Sequence, residues 1–258
     1  MLSRALLSLR SATGEQGARD RCPKGARLST ALGVEPQQHL LWERHELREV
    51  TNFKVKSLIL DFGNVVAFFN HQRACRQLAS LSAGQVTEDA VFQAVFNTTL
   101  ESDFDCGRLS PSEFVQRLRT LFNLASSDKA IVTAWCDMFW PNEDLVSLIP
   151  RLKSAVAKLL LASNTNELHY QWFMKRFAEP LACFDAFVLS HRIGFRKPAL
   201  PFFNKCVEVS GVSPHDCIYV DDRLDFVEVA RSLGMTGIVY GPGIALIEAL
   251  RSEGVEIV

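Results

Sequence analysis

The sequence predicts a doubly wound α/β fold: a parallel sheet, with a small all-helical domain inserted after its first strand. Three observations carry this. Four short apolar runs, Ser57–Leu60, Leu159–Ala162, Phe187–Leu189 and Cys217–Val220, each stop at a polar residue, as buried strands of a parallel sheet do at their ends. Segments with apolar residues three and four apart fill the gaps between the last three runs. Between the first two lie roughly 75 residues of helical pattern without a strand signal, where a crossover needs only a dozen or so. That interval is a domain, not a connection.

Residues 1–52 read as an extension, because Gly14, Gly17, Pro23, Gly25, Gly33 and Pro36 discourage packed structure. Within it, Leu40, Leu41, Leu47 and Val50 suggest a short helix from His39 to Val50. The first strand opens near Val55 and ends at Asp61, and Phe62–Val66 is a turn-like break. Residues 53–69 and 145–258 are assigned to the core and 70–144 to the helical insertion. Its helices are expected at Arg73–Leu81, Glu88–Phe96, Ser112–Phe122 and Asp128–Phe139; Ser110, Pro111 and Glu113 supply the N-cap, first-turn proline and capping-box acid of the third. Beyond Leu145, helix and strand alternate to the end, with Gly234 suited to close the helix that follows the Cys217 strand.

Composition narrows the class. A hydrophobic content of 48%, a charged content of 22% and a net charge of −1 fit an ordinary globular protein and give no reason to expect nucleic acid. No apolar run approaches the roughly 18 residues of a membrane span. Seven scattered cysteines without a CxxC pair suggest neither a zinc site nor a disulfide framework, so reduced thiols are expected. The first 30 residues carry six basic and two acidic groups, a charge of +4 that leaves −5 for the rest, and no acid precedes Glu15. With the basic, apolar Met1–Arg10 segment, this composition suits a mitochondrial transit peptide, and hence the matrix. The other readings are an untargeted tail in a cytoplasmic protein, or a start codon placed too far upstream.

In an open parallel sheet, ligands bind in the crevice outside the carboxyl ends of the strands. The polar residues at those ends therefore describe one site. Asp61 stands next to Gly63, where backbone can approach closely, and a carboxylate there can take a phosphoryl group when a metal neutralises the charge. Asp221 and Asp222 offer the oxygen ligands that Mg²⁺ prefers. Lys197 is a mobile point charge within reach of phosphate and nucleophile, while its neighbour Arg196 is expected to face solvent or the insertion. Ser163 and Asn164 form a strand-to-helix turn able to cradle phosphate. Any one of these aspartates alone reads better as a helix cap, and Ser163 alone equally well as one; all of them together, with Lys197 nearby, favour a site.

In order and spacing, Leu60-Asp61-Phe62-Gly63-Asn64-Val65, Leu161-Ala162-Ser163-Asn164-Thr165, Gly194-Phe195-Arg196-Lys197-Pro198 and Tyr219-Val220-Asp221-Asp222 resemble the haloacid dehalogenase-like hydrolases. The helical insertion looks like the small cap of that superfamily's first subclass, on a Rossmann-like core. Asp-x-Gly-Asn-Val, and Ser-Asn-Thr-Asn with His169 downstream, look most like the bacterial sugar-1-phosphate (glucose-1-phosphate) phosphatases. The resemblance covers about residues 55–258. It implies a Mg²⁺-dependent phosphatase acting on a small phosphomonoester through an aspartyl-phosphate. Asp61 would be the nucleophile, Ser163 and Lys197 the phosphate ligands, and Asp222, supported by Asp221 and joined by the Gly63 carbonyl, the metal site. Two departures stand out. Most members carry a second aspartate, the general acid and base, where this chain has Gly63; and Arg223–Ala230 replaces an Asn-containing pattern. The alternatives are a catalytically silent binding protein and a metal-free haloacid dehalogenase. His71, Asp103, Asp105 and Trp140 are the insertion residues expected to meet substrate.

Overall fold

The computed structural model describes residues 55–257, except 56, 85, 242 and 243. The extension, its expected helix at 39–50 and the proposed transit segment lie outside the described residues.

Five strands form one parallel sheet: β1 (Ser57–Leu60), β4 (Lys158–Ser163), β5 (Ala186–Leu189), β6 (Cys217–Asp221) and β7 (Thr236–Val239). Their order is β5-β4-β1-β6-β7, with Leu60 opposite Leu161 on one side and Val220 on the other. The chain lays down β1, β4 and β5 in one direction, then returns past β1 to add β6 and β7. The order thus reverses at β1, and the crevice that such a reversal opens lies at its carboxyl end.

The sheet is buried on both faces by strict alternation. Leu58, Leu60, Leu159, Leu161, Ile218 and Val220 point into the larger core, which continues into the helical insertion. Ile59, Leu160, Ala162 and Tyr219 point the other way, against Phe202 and Phe203 of the helix Leu200–Ser210 and Phe226 and Val227 of the helix Leu224–Ser232. Each strand is apolar on both sides, so its sequence reads as a run and not as an alternation.

The insertion holds α1 (His71–Ser80), α2 (Glu88–Phe96), α3 (Leu100–Asp105), α4 (Pro111–Phe122) and α5 (Asp128–Cys136). The capping box at the start of α4 is complete: Ser110 Oγ accepts from the Glu113 amide, and Glu113 accepts from the Ser110 amide. Two features correct the sequence reading. The interval 70–144 is not free of strand: β3 (Phe139–Pro141) pairs antiparallel with β2 (Ala67–Phe69), Phe68 opposite Trp140. This ribbon lies where the chain leaves and re-enters the core, and three-residue strands are too short for a periodic signal. Likewise α3, six residues long, falls in a gap between expected helices. Gly234 follows the last turn of the Leu224–Ser232 helix at φ +91°, as expected; a Cβ there would meet the His215 ring at 2.8 Å.

Candidate active site

Asp61, one residue past β1, is 7% exposed and its amide donates to the Val220 carbonyl at 2.9 Å, so the β1–β6 ladder itself fixes it. Its Oδ1 accepts from Lys197 Nζ at 2.6 Å. Lys197, 4% exposed, also donates to Asp221 Oδ2 at 2.7 Å and to the Ala162 carbonyl at 3.1 Å. An ammonium has three donors and all three are used. One side chain thereby ties the ends of β1, β4 and β6 together.

Asn164 sets the base of that side chain. Its Oδ1 accepts from the Lys197 amide at 2.8 Å and its Nδ2 donates to the Lys197 carbonyl at 3.1 Å. Its side-chain amide is thus spent on the Lys197 backbone, which leaves the part expected of Asn164, a backbone amide in the phosphate-cradling turn, untouched. Ser163, 3% exposed, lines the cavity above Asp61 as expected.

Asp221 is fully buried. Its Oδ2 accepts from Lys197 and from the Tyr219 hydroxyl at 2.7 Å, and its Oδ1 accepts from the Arg223 amide at 3.0 Å. Asp222 is partly buried and gives only Oδ2 to Asn64 Nδ2, at 2.9 Å. Asn64 itself sits at φ 55° in the turn after Gly63. Carboxylate oxygens of Asp61, Asp221 and Asp222 all lie within 4.8 Å of one another. Three acids thus share one ammonium. Burial presses the Asp61 carboxyl up to about 7, against the pull of Lys197 and with the push of Asp221 and Asp222. Burial also raises Asp222, although its bond from Asn64 opposes this. Lys197 is held protonated: burial disfavours its charge, and Asp61 and Asp221 more than offset that. A divalent cation bound to Asp61 Oδ2 and Asp222 Oδ1, which accept no hydrogen bond among the described residues, would relieve the surplus negative charge. The Gly63 carbonyl, which accepts no hydrogen bond among the described residues, completes a donor set of the kind Mg²⁺ takes.

Above these groups is a cavity of about 190 Å³, roofed partly by the insertion. Of the four insertion residues expected there, His71 and Asp105 line it. Asp103 does not: it pairs with Arg108 at 2.7 Å. Trp140, 44% exposed, packs on Phe68 away from the cavity. Arg196 turns to the insertion, its Nη1 3.3 Å from Glu101 Oε2 and its Nη2 3.3 Å from Asp105 Oδ2. Asn166 Nδ2 meets both Asp105 Oδ1 and His169 Nδ1 at 3.0 Å. Because that amide nitrogen donates, His169 Nδ1 accepts and its proton sits on Nε2, which is buried without a hydrogen-bond partner among the described residues. Burial, helped by His71, lowers the His169 pKa to about 3, so the ring is neutral; burial and then Arg196 lower that of His71 to about 4.

Sequence reasoning missed Glu101 and Asn166. The signal was present for Glu101: it stands four residues before Asp105, hence on the same helix face.

Residues 112–234 match the haloacid dehalogenase-like hydrolase family. D-ribitol-5-phosphate phosphatase of Bacteroides thetaiotaomicron is 28% identical over 70% of this chain and 89% of its own length. A sesquiterpene phosphatase of Aspergillus oryzae is 26% identical over 61% of this chain and 80% of its own. In fold, the chain is similar to a haloacid dehalogenase family enzyme from Bacteroides thetaiotaomicron, crystallised with magnesium and inorganic phosphate: the TM-score is 0.66 at 22% identity, over 76% of this chain and 100% of that one. With its four sequence segments gathered at the edge where β1 reverses the strand order, this chain is similar to the haloacid dehalogenase-like hydrolases in both sequence and fold.

Proposed function

We propose that the chain is a Mg²⁺-dependent phosphatase that hydrolyses small phosphomonoesters through a phosphorylated Asp61. The observation that carries this is the Asp61–Lys197–Asp221 ion cluster, with Asp222 beside it and an oxygen to spare. Asp61 points its free oxygen at the cavity, while Lys197 and the Ser163 turn offer positive charge and a hydroxyl to a phosphate seated above it. Asp61, Asp222 and the Gly63 carbonyl would hold Mg²⁺, which when bound neutralises the phosphate and the clustered acids. Asp221, its oxygens already occupied, positions Lys197 and the Arg223 backbone. A dehalogenase needs no metal, and nothing in that chemistry uses a surplus of two acids; a silent binding protein has no need for a nucleophile held at 2.6 Å from its lysine.

The named relatives, one acting on ribitol 5-phosphate and one on a sesquiterpene, leave the alcohol open. The polar roof of Glu101 and Arg196 favours a hydroxyl-bearing alcohol, as in a sugar or polyol phosphate. The test is phosphate release from a panel of such esters with Mg²⁺ and with chelator. Asp222→Asn should raise the Mg²⁺ concentration for half-maximal rate by at least about tenfold, in line with the loss of a ligand contact. Overlapping metal titrations of variant and parent would make Asp222 a structural residue.

The extension is proposed to direct import into mitochondria, on the strength of the six basic residues among its first 30 and its lack of acids before Glu15. A reporter fused to residues 1–52 should enter the organelle; one that stays in the cytosol would dispose of this.

A further inference from the structure

Gly63 leaves the proposed reaction without an acid for the departing oxygen, and the structure shows that none could easily stand at that position. A Cβ on Gly63 would lie 2.8 Å from Cε1 of Phe69, so the ring occupies the space a side chain would enter. The proton must come from the roof. Besides Asp61 and Asp222, the carboxyl groups lining the cavity are Glu101 and Asp105. Asp105 has both oxygens engaged, one by Asn166 and one by Arg196. Glu101 gives only Oε2 to Arg196, and its Oε1 has no partner among the described residues.

We propose that Glu101, carried in by the insertion, is the acid and base of the reaction, in place of the side chain missing at Gly63; this rests on the phosphatase reading above. Its anchor fits the role: Glu101 is held by Arg196, the residue next to Lys197 in the chain, and it lines the same cavity as Asp61. Burial, reinforced by Asp105 and opposed by Arg196, lifts the Glu101 carboxyl to about 7, so both protonation states are populated near neutrality.

The steps balance. An Asp61 oxygen bonds to phosphorus as the ester P–O bond breaks, and the electron pair of that bond goes to the departing oxygen. That oxygen takes the Glu101 proton, and the alcohol leaves. Glu101, now a carboxylate, takes a proton from water as the water oxygen bonds to phosphorus. The Asp61–phosphorus bond breaks, restoring the Asp61 carboxylate and protonated Glu101 and releasing inorganic phosphate.

An acid matters most where the departing oxygen is a poor anion. Single-turnover rates are measured for the full-length enzyme with Mg²⁺ on an alkyl phosphate and on 4-nitrophenyl phosphate. Glu101→Gln should slow the alkyl ester by about 10²-fold or more beyond any effect on the aryl ester, the usual weight of a general acid. Glu101→Ala should show the same selectivity and recover alkyl-ester turnover with added formate, whatever its stability. A loss shared equally by both esters, or no loss, would make Glu101 a latch for Arg196 and overturn the proposal. A parent enzyme that releases phosphate from neither ester would instead overturn the phosphatase reading itself.

Discussion

Asp61→Asn should lose phosphatase turnover by about 10³-fold or more while keeping its fold. An amide oxygen is too weak a nucleophile for phosphorus, and effects of this size are usual when a nucleophile is removed. The fold should survive for a reason visible in the site. Asp61 is a buried acid whose neutral form is favoured up to about pH 7, so an isosteric neutral side chain costs little. Lys197 retains Asp221 and the Ala162 carbonyl. Kinetics and thermal melting of the variant beside the parent check both halves. Turnover above a few per cent of the parent would remove Asp61 from the chemistry.

Lys197→Met should be harmed in both respects. Methionine keeps most of the volume but leaves Asp61 and Asp221 facing each other without a cation. Breaking a buried pair in this way costs about 3–5 kcal/mol. For a chain of this size, that lowers the melting temperature by roughly 10 °C. Turnover should fall by on the order of 10²–10³-fold, because a preorganised charge for the transferring phosphoryl group is lost. Since burial holds the Asp61 carboxyl up at about 7, that group takes up a proton as pH falls, and the stability deficit should shrink from pH 8 to 5. It should also shrink with added Mg²⁺. A variant that melts with the parent at pH 8 would contradict the charge balance described for the site.

Most of the sheet was legible because its strands are buried on both faces. Leu58 to Leu60 and Leu159 to Leu161 are apolar at every position, and each run ends where the functional residue begins. Asp61, Ser163, Lys197 and Asp221 could be placed at one edge for the same reason: the edge is defined by where the runs stop. What the sequence could not show is how their hydrogen bonds are spent. Asn164 was expected in a phosphate cradle through its backbone, and only the structure shows that its side chain also clamps the Lys197 backbone. Asp221 and Asp222 are adjacent and identical, yet one has both oxygens occupied and the other has one free.

The roof was harder to read, because it depends on contacts between distant short elements. Asp103 and Asp105 are two residues apart on a helix of six, so they face different ways; Asp105 meets Arg196 and Asn166, and Asp103 meets Arg108. Trp140 looked like a binding residue but belongs to the outer face of the β2–β3 ribbon. Glu101 fell outside every expected helix, and its importance depends on Arg196, which lies nearly a hundred positions later.

The central claim is that phosphorus visits Asp61 on its way to water. The stereochemical course tests this most directly, and it does not require the intermediate to accumulate. A phosphate ester made chiral at phosphorus with sulfur and isotopic oxygen is hydrolysed in isotopically labelled water, and the configuration of the released thiophosphate is determined. Each in-line displacement inverts phosphorus, so transfer to Asp61 followed by transfer to water gives net retention. Retention is the result expected here. Inversion would mean that water attacks the ester directly, with Asp61 as no more than a ligand or a base.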